Sequence, residues 1–239
     1  MSSLDAASTP PDAAGLFDEV AEHGPSDQRK RWGLAWLIHY VREIGRRRRF
    51  MKRYSWAVPT PTAIGQVGDF VGDRHLLEIG AGNGLWAHLL SAYGVSVTAT
   101  DDYSWAAPPP GVKTRVPSGF PVEPGRIFPV EQVDALAAVK KYADHQALLL
   151  CWPPYDKPMA FRALTAFQGD GVVYVGDAGC SADESFHDEL KRHWQLHDVV
   201  QIPTWPGIHD AVYLYGRKVE RWKPSGAERR PNPHLSSTG

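Results

Sequence analysis

Glu78, Gly80, Gly82 and Gly84 stand at alternate positions in HLLEIGAGNGLWAHLL, with an apolar run before them and a helical pattern after. Glycine is needed where a chain turns sharply or a ligand approaches the backbone, because a Cβ would block either. A strand that empties into such a loop and continues as a helix is built to cradle a cofactor. The dinucleotide fingerprint G-x-G-x-x-G would need a third glycine at position 85, where Leu85 stands, so a nicotinamide cofactor is disfavoured.

Three more stretches carry reactive groups. ALLLCWPPYDKPMA is an apolar run that stops at Pro153, Pro154 and Tyr155, so it reads as a strand delivering a rigid turn. GVVYVGDAGC is a buried strand emptying into Asp177, and IPTWPGIHDAVYLYG places His209 and Asp210 in a loop ahead of a last strand. A histidine takes a proton from a nucleophile near neutral pH and a carboxylate orients it, so Asp177 and His209 are the candidate base. A loop histidine bonded to backbone is the plainer role. Cys151 and Cys180 have neither metal-ligand spacing nor a motif for covalent catalysis, and inert thiols are expected.

These groups need a scaffold. From residue 75 onward apolar runs alternate with helical patterns, which argues for parallel strands joined by crossover helices. Strands are expected at 75–79, 95–100, 126–130, 147–152, 172–176, 197–202 and 210–217, with helices at 84–93, 131–143, 158–167 and 182–193. About seven residues separate the last two strands, too few for a parallel crossover, so they should be antiparallel neighbours. The fold class is α/β: a Rossmann-like, doubly wound seven-stranded sheet, mostly parallel with an antiparallel C-terminal hairpin, plus N-terminal helices. Residues 26–70 form that helical segment. Gly33, Trp36, Leu37, Tyr40, Val41 and Ile44 share one helical face behind Ser26 or Asp27 as cap, and this face is expected to pack on the larger body. Pro61 suits the first turn of a second helix ending near Phe70. The core spans 71–218, and residues 1–25 and 219–239, without periodicity, read as flexible tails.

The E-x-G-x-G-x-G pattern at 78–84 resembles motif I of the class I S-adenosylmethionine-dependent methyltransferases. The resemblance implies S-adenosylmethionine as cofactor, its methionine part against the loop of Gly80, Ala81, Gly82 and Gly84, with Glu78 ordering the loop and the methionine ammonium. It also implies an acid against the two ribose hydroxyls, whose protons a carboxylate can accept. Asp101 follows the strand directly and is preferred to Asp102. Val130, Glu131 and Asp134 are the adenine candidates.

In that family WPPY would be motif IV, opening on the crevice where the strand order reverses. It is similar to Asn-Pro-Pro-Tyr with the first residue changed to Trp152. In amine methyltransferases of that type the amide and a proline carbonyl accept hydrogen bonds from the target amine, and the Tyr ring stacks on a planar acceptor. Indole is a donor only, so Trp152 argues against simple adenine-amine chemistry. It can wall the cofactor, or hold an apolar or cationic acceptor by stacking and cation–π attraction. The resemblance thus sets Cys151 and Trp152 beside the cofactor, and Pro153, Pro154, Tyr155 and Asp210 toward the substrate. Tyr155 is also a catalytic candidate, and Tyr54 and Trp56 are candidates for a lid. The implied sheet order inserts the seventh strand, antiparallel, between the fifth and sixth, which brings His209 and Asp210 near Asp177. The set RYSWAVP, EIGAGNG, LLLCWPPYDKPMA, YVGDAGC and WPGIHD is similar to an uncharacterised branch of the family, which implies fold and cofactor but not substrate.

The formal net charge of −1 hides a basic block: residues 26–57 hold ten Lys or Arg against Asp27 and Glu43, including Arg46-Arg47-Arg48-Arg49. Such a run grips phosphates or an acidic peptide, or is a solvated helix end favoured by its dipole. With no basic-then-apolar leader and no stretch of about 18 apolar residues, neither secretion nor membrane insertion is expected, and a reducing cytoplasm is the simplest home. The leading expectation is a methyltransferase for a small molecule or peptide, with nitrogen slightly favoured over oxygen. The alternatives are an RNA or DNA methyltransferase gripping phosphates through the arginine run, and a non-catalytic methyltransferase-like binding protein.

Overall fold

The computed structural model describes residues 12–26, 34–104 and 127–218, with residues 34–37 described in backbone only. Three helices precede the sheet: α1 (Ala13–His23), α2 (Leu34–Arg53) and α3 (Pro61–Val71). The sheet is then built from β1 (His75–Ile79), α4 (Leu85–Tyr93), β2 (Ser96–Asp101), β3 (Glu131–Gln132), α5 (Ala135–Lys141), β4 (Ala147–Cys151), α6 (Met159–Ala166), β5 (Gly171–Gly176), α7 (Glu184–His193), β6 (Trp194–Gln201) and β7 (Ala211–Arg217).

The strand order is β3-β2-β1-β4-β5-β7-β6. β1 through β5 are parallel, whereas β7 runs antiparallel to both β5 and β6. The expected insertion of the last strand is therefore present. Central strands such as ALLLC and GVVYVG are nearly continuous apolar runs because helices cover both faces. Alternation of side chains sends Leu76, Leu149, Val173 and Val212 to a core shared with Leu16, Phe50, Ile64 and Leu89. Leu77, Leu148, Leu150 and Val172 go to the opposite core, against Val139, Leu164 and Phe186. The chain reverses between β1 and β4, and the carboxyl ends of these strands open on that crevice.

Several expectations change. Residues 13–23, assigned to a tail, form α1: the Asp12 side chain caps it by accepting from Gly15 N–H, and Leu16 and Val20 are buried. The third strand lies at 131–132, not 126–130, because Phe128 and Val130 pack on Ala81, Ala87 and Ala99 instead of pairing. The following helix starts only at 135, where Asp134 caps it. On α2 the packed face is Glu43, Phe50 and Tyr54, while Ile38, Val41 and Ile44 are exposed, so the apolar stripe does not face the core there. Thr60 caps α3 and Pro61 occupies its first turn. Asp27, Gly33, the remainder of the N-terminal tail and the whole 219–239 tail lie outside the described residues. No helix among the described residues is long and apolar enough to cross a membrane.

Candidate functional site

β1 ends in a loop whose glycines are all left-handed, with φ of +75° at Gly80, +60° at Gly82 and +84° at Gly84. Two of them are required for different reasons. A Cβ on Gly84 would sit 2.6 Å from Phe128 Cβ, so that glycine serves packing. Among the described residues nothing lies within 4 Å of a Cβ built on Gly82, so that glycine leaves its backbone approachable there. The loop is anchored from outside: Gly80 and Ala81 N–H donate to Thr100 O at 2.8 and 3.0 Å.

Asp101 is part of this anchoring. Its Oδ2 accepts from Gly82 N–H at 2.8 Å and its Oδ1 from Tyr103 N–H at 2.7 Å, and the residue is buried. Asp102, by contrast, is exposed and accepts from Ser104 N–H. The acid preferred for a ribose thus braces the glycine loop, and its neighbour stands at the surface. Glu78 precedes the loop at the end of β1, buried, with Oε2 lacking a hydrogen-bond partner among the described residues. Burial pushes its pKa up to about 8, against an Ala87 N–H that favours the charged form, and the nearby Asp101 adds to the rise. Asn83, which the sequence reading passed over, ties the loop to α2: Nδ2 donates to Arg53 O at 2.9 Å. The adenine candidates are engaged elsewhere. Val130 packs in the small-residue cluster, Glu131 binds Lys141 and Tyr142, and Asp134 caps α5.

Register brings the second half of the site to the same edge. Ile79 pairs with Leu150, Cys151 with Val175, and Gly176 with Ala211, so Gly80, Trp152, Asp177 and Asp210 all emerge together. Trp152 turns out of β4 at φ +52° and donates its indole N–H to Asp210 Oδ1 at 2.8 Å. Its ring stacks on Trp56 at 5.3 Å and 28°. The Arg47 guanidinium lies over both rings, 5.7 Å from Trp56 and 5.3 Å from Trp152.

Asp210 is 1% exposed and its Oδ2 has no hydrogen-bond partner among the described residues. Burial pushes its pKa up to about 7, opposed by the Trp152 hydrogen bond and the field of Arg47. Asp177 differs. Its burial is outweighed by N–H donors from Gly179 and His209, both at 2.8 Å, which hold its carboxyl below the ordinary range. His209 Nδ1 is 3.5 Å from Asp177 Oδ2, with the ring 85% exposed.

Other sequence candidates do not join this group. Tyr155 is 70% exposed. Pro153 is buried and its carbonyl, which would face an amine in Asn-Pro-Pro-Tyr, accepts from Ala182 N–H at 2.8 Å, while Pro154 is half-buried beside it. Tyr54 is buried, packs on Phe50 and donates to Glu19 at 2.8 Å, so it fastens α2 to α1 and is not part of a lid. Cys151 Sγ lies 3.8 Å from Ser55 Oγ, and burial pushes its pKa up, which leaves an inert thiol. Arg47 was read from the sequence only as one of a phosphate-gripping run, and its place on the two tryptophans was missed. Its signal was the spacing of Glu43, Arg47, Phe50 and Tyr54, which puts all four on one face of α2, the face that packs.

Searches against protein-family models and against curated proteins find no match. Solved structures of similar layout exist. One is a ribosomal protein L11 methylase from Lactobacillus delbrueckii subsp. bulgaricus, 14% identical over 66% of this chain and 78% of that one, TM-score 0.40. Another is TrmN from Thermus thermophilus, 13% identical, TM-score 0.41, where 65% of this chain spans 47% of the other, about half its length. A third is 1,6-didemethyltoxoflavin-N1-methyltransferase from Burkholderia thailandensis, solved with its substrate and S-adenosylhomocysteine: 16% identical over 81% of this chain and 93% of that one, TM-score 0.42. Likeness at this level names no acceptor.

Proposed function

We propose that the protein is an S-adenosylmethionine-dependent methyltransferase acting on a small molecule or peptide, with nitrogen favoured over oxygen as the nucleophile. The observation that carries this reading is Gly82: an approachable, left-handed backbone position beside buried Glu78, at the crevice where the strand order reverses. The residues present fit such a cofactor. The approachable backbone at Gly82 admits a ligand, Glu78 holds a carboxylate oxygen unpartnered among the described residues ahead of the loop, and Asp102 is an exposed acid at the end of β2.

Bound here, S-adenosylmethionine would supply an electrophilic methyl group. Transfer of that methyl to a nitrogen would release a proton from it, so the protein's own work would be alignment, desolvation and acceptance of that proton. Trp56 and Trp152 line the crevice and orient the acceptor. Asp210 Oδ2 accepts a hydrogen bond from the nitrogen and then its proton, a role for which a carboxyl near pKa 7 is suited. Asp177, braced by backbone donors, adds negative field, and His209 stands at the mouth to pass the proton to water.

The RNA or DNA reading loses force on α2. Arg46 is spent on Glu43 and on the carbonyls of Glu22 and Gly24, and Arg47 on the tryptophans. Only Arg48 and Arg49 of the run stand exposed. Isothermal titration with S-adenosylhomocysteine tests the main reading: micromolar binding by the wild type and its loss in Gly82→Trp are expected. No binding by the wild type overturns it.

A further inference from the structure

We infer that the recess formed by Trp56, Trp152 and Asp210 is a site for a cationic nitrogen group, a guanidinium or an alkylammonium, whose place Arg47 holds in the free protein. As the identity of the acceptor, this inference rests on the methyltransferase reading. As a binding site it stands on the recess alone.

Trp152 cannot accept a hydrogen bond, yet its indole N–H fixes Asp210 Oδ1 at 2.8 Å and so sets a carboxylate at the edge of the crevice. The crevice thus presents a carboxylate acceptor together with an aromatic face. That combination sets the preferred ligand. A neutral planar amine is served by an amide, whereas a positive charge is served by π-faces and an anion together.

The second observation is the present occupant. Arg47 is drawn onto both indole rings, and the negative groups that act on it are Asp210, Asp177 and, if ionised, Cys180. Its fit is incomplete on both sides. Among the described residues, Arg47 Nε is buried without a hydrogen-bond partner, and Asp210 Oδ2 is buried without one too. A guanidinium entering along the crevice and reaching Oδ2 would satisfy that acceptor, and the displacement would release Arg47 Nε–H to water. Arg47 is tethered from α2, whose position is set by Phe50 packing on Trp205 at 5.6 Å, and this holds it to the ring faces. The site is thus shaped for a cation and filled by a displaceable one.

The third observation is access. Trp56 is 39% exposed, so the outer face of the pair is reachable from solvent. Asp177 is the weaker partner, since each of its oxygens already accepts a backbone N–H. It contributes charge, and Asp210 Oδ2 is the buried acceptor left without a partner among the described residues.

The test compares butylguanidinium with butylurea, its neutral isostere, by titration followed through tryptophan fluorescence. Arg47→Met keeps the aliphatic stem and removes the charge. It should bind butylguanidinium at least tenfold more tightly than the wild type does and at least tenfold more tightly than it binds butylurea. Adding Asp210→Asn should abolish that preference. Equal binding of the two compounds by Arg47→Met, or binding of neither, overturns the inference. If Arg47→Met does not fold, the Arg47 Nε–H resonance of the wild type is followed instead. Movement under butylguanidinium but not butylurea supports displacement, and no movement overturns it. S-adenosylhomocysteine binding is measured on the same samples. Cofactor binding without guanidinium binding sinks this inference alone, and the reverse sinks the methyltransferase reading while this site stands.

Discussion

The indole N–H of Trp152 donates to Asp210 Oδ1 at 2.8 Å, joining the end of β4 to the residue that opens β7. The bond orients a buried carboxylate and fixes an aromatic ring that would otherwise swing with a left-handed backbone. Trp152→Phe keeps the ring and deletes the donor, leaving a buried acceptor further unsatisfied. The cost is expected at about 1–3 kcal/mol, read as a lower midpoint in urea unfolding with an unchanged slope. An unchanged midpoint would show the bond to be energetically idle.

Asp210 also predicts a pH dependence of stability. Its folded pKa near 7 lies above the unfolded value of about 3.9, so between these values the folded state holds a proton that the unfolded state has lost. Stability therefore falls as pH rises from about 4 to about 7, by on the order of a few kcal/mol, and the deficit persists above. The groups acting on Asp210 in this window are Arg47, Asp177 and His209. Asp210→Asn retains an acceptor for Trp152 and removes the ionisation. Its melting temperature should gain on that of the wild type as pH goes from 4 to 8; a constant difference would refute the raised pKa.

Gly82 and Gly84 should separate function from packing. Gly84→Ala forces a Cβ against Phe128 at a left-handed position and should lower the melting temperature, with a cost above the 1–2 kcal/mol of backbone strain alone. Gly82→Ala meets none of the described residues within 4 Å and should cost about that strain only. Larger residues at 82 should leave melting nearly as for Ala while progressively removing S-adenosylhomocysteine binding. Equal losses of stability at both positions would remove the distinction.

Helix α1 should be integral to the fold. Leu16 is buried beside Val20 in the core shared with Phe50, so Leu16→Ala should cost about 2–5 kcal/mol in thermal or urea unfolding. A change within about 0.5 kcal/mol would return residues 13–23 to the status of an appendage.

Much of this architecture was legible because it depends on local pattern. The apolar runs HLLEI, ALLLC and GVVYVG, with helical periodicity between them, specify buried parallel strands, and the short 203–209 connection excludes a parallel crossover. Elements shorter or weaker in pattern were not legible. In α1, Leu16, Phe17 and Val20 are an amphipathic stripe set in Ala-, Asp- and Glu-rich surroundings, and it is stable only because tertiary burial pays what propensity does not. The FPV segment looked like a strand, yet its apolar side chains were needed against the glycine loop.

The glycine positions, the acids at the strand ends and the WPPY turn are determined by the sequence itself, since backbone freedom, charge and a missing amide acceptor are properties of residue type. Only the tertiary structure decided how those groups are used. It gave Asp101 to the loop, turned Tyr155 outward, closed the Pro153 carbonyl on Ala182 and paired Trp152 with Asp210. It also lifted Arg47 out of a run of four identical residues and laid it on two tryptophans from distant segments. Hydrogen-bond partnership and burial depend on which strand ends meet, and that is set by sheet order and register, which no local spacing encodes.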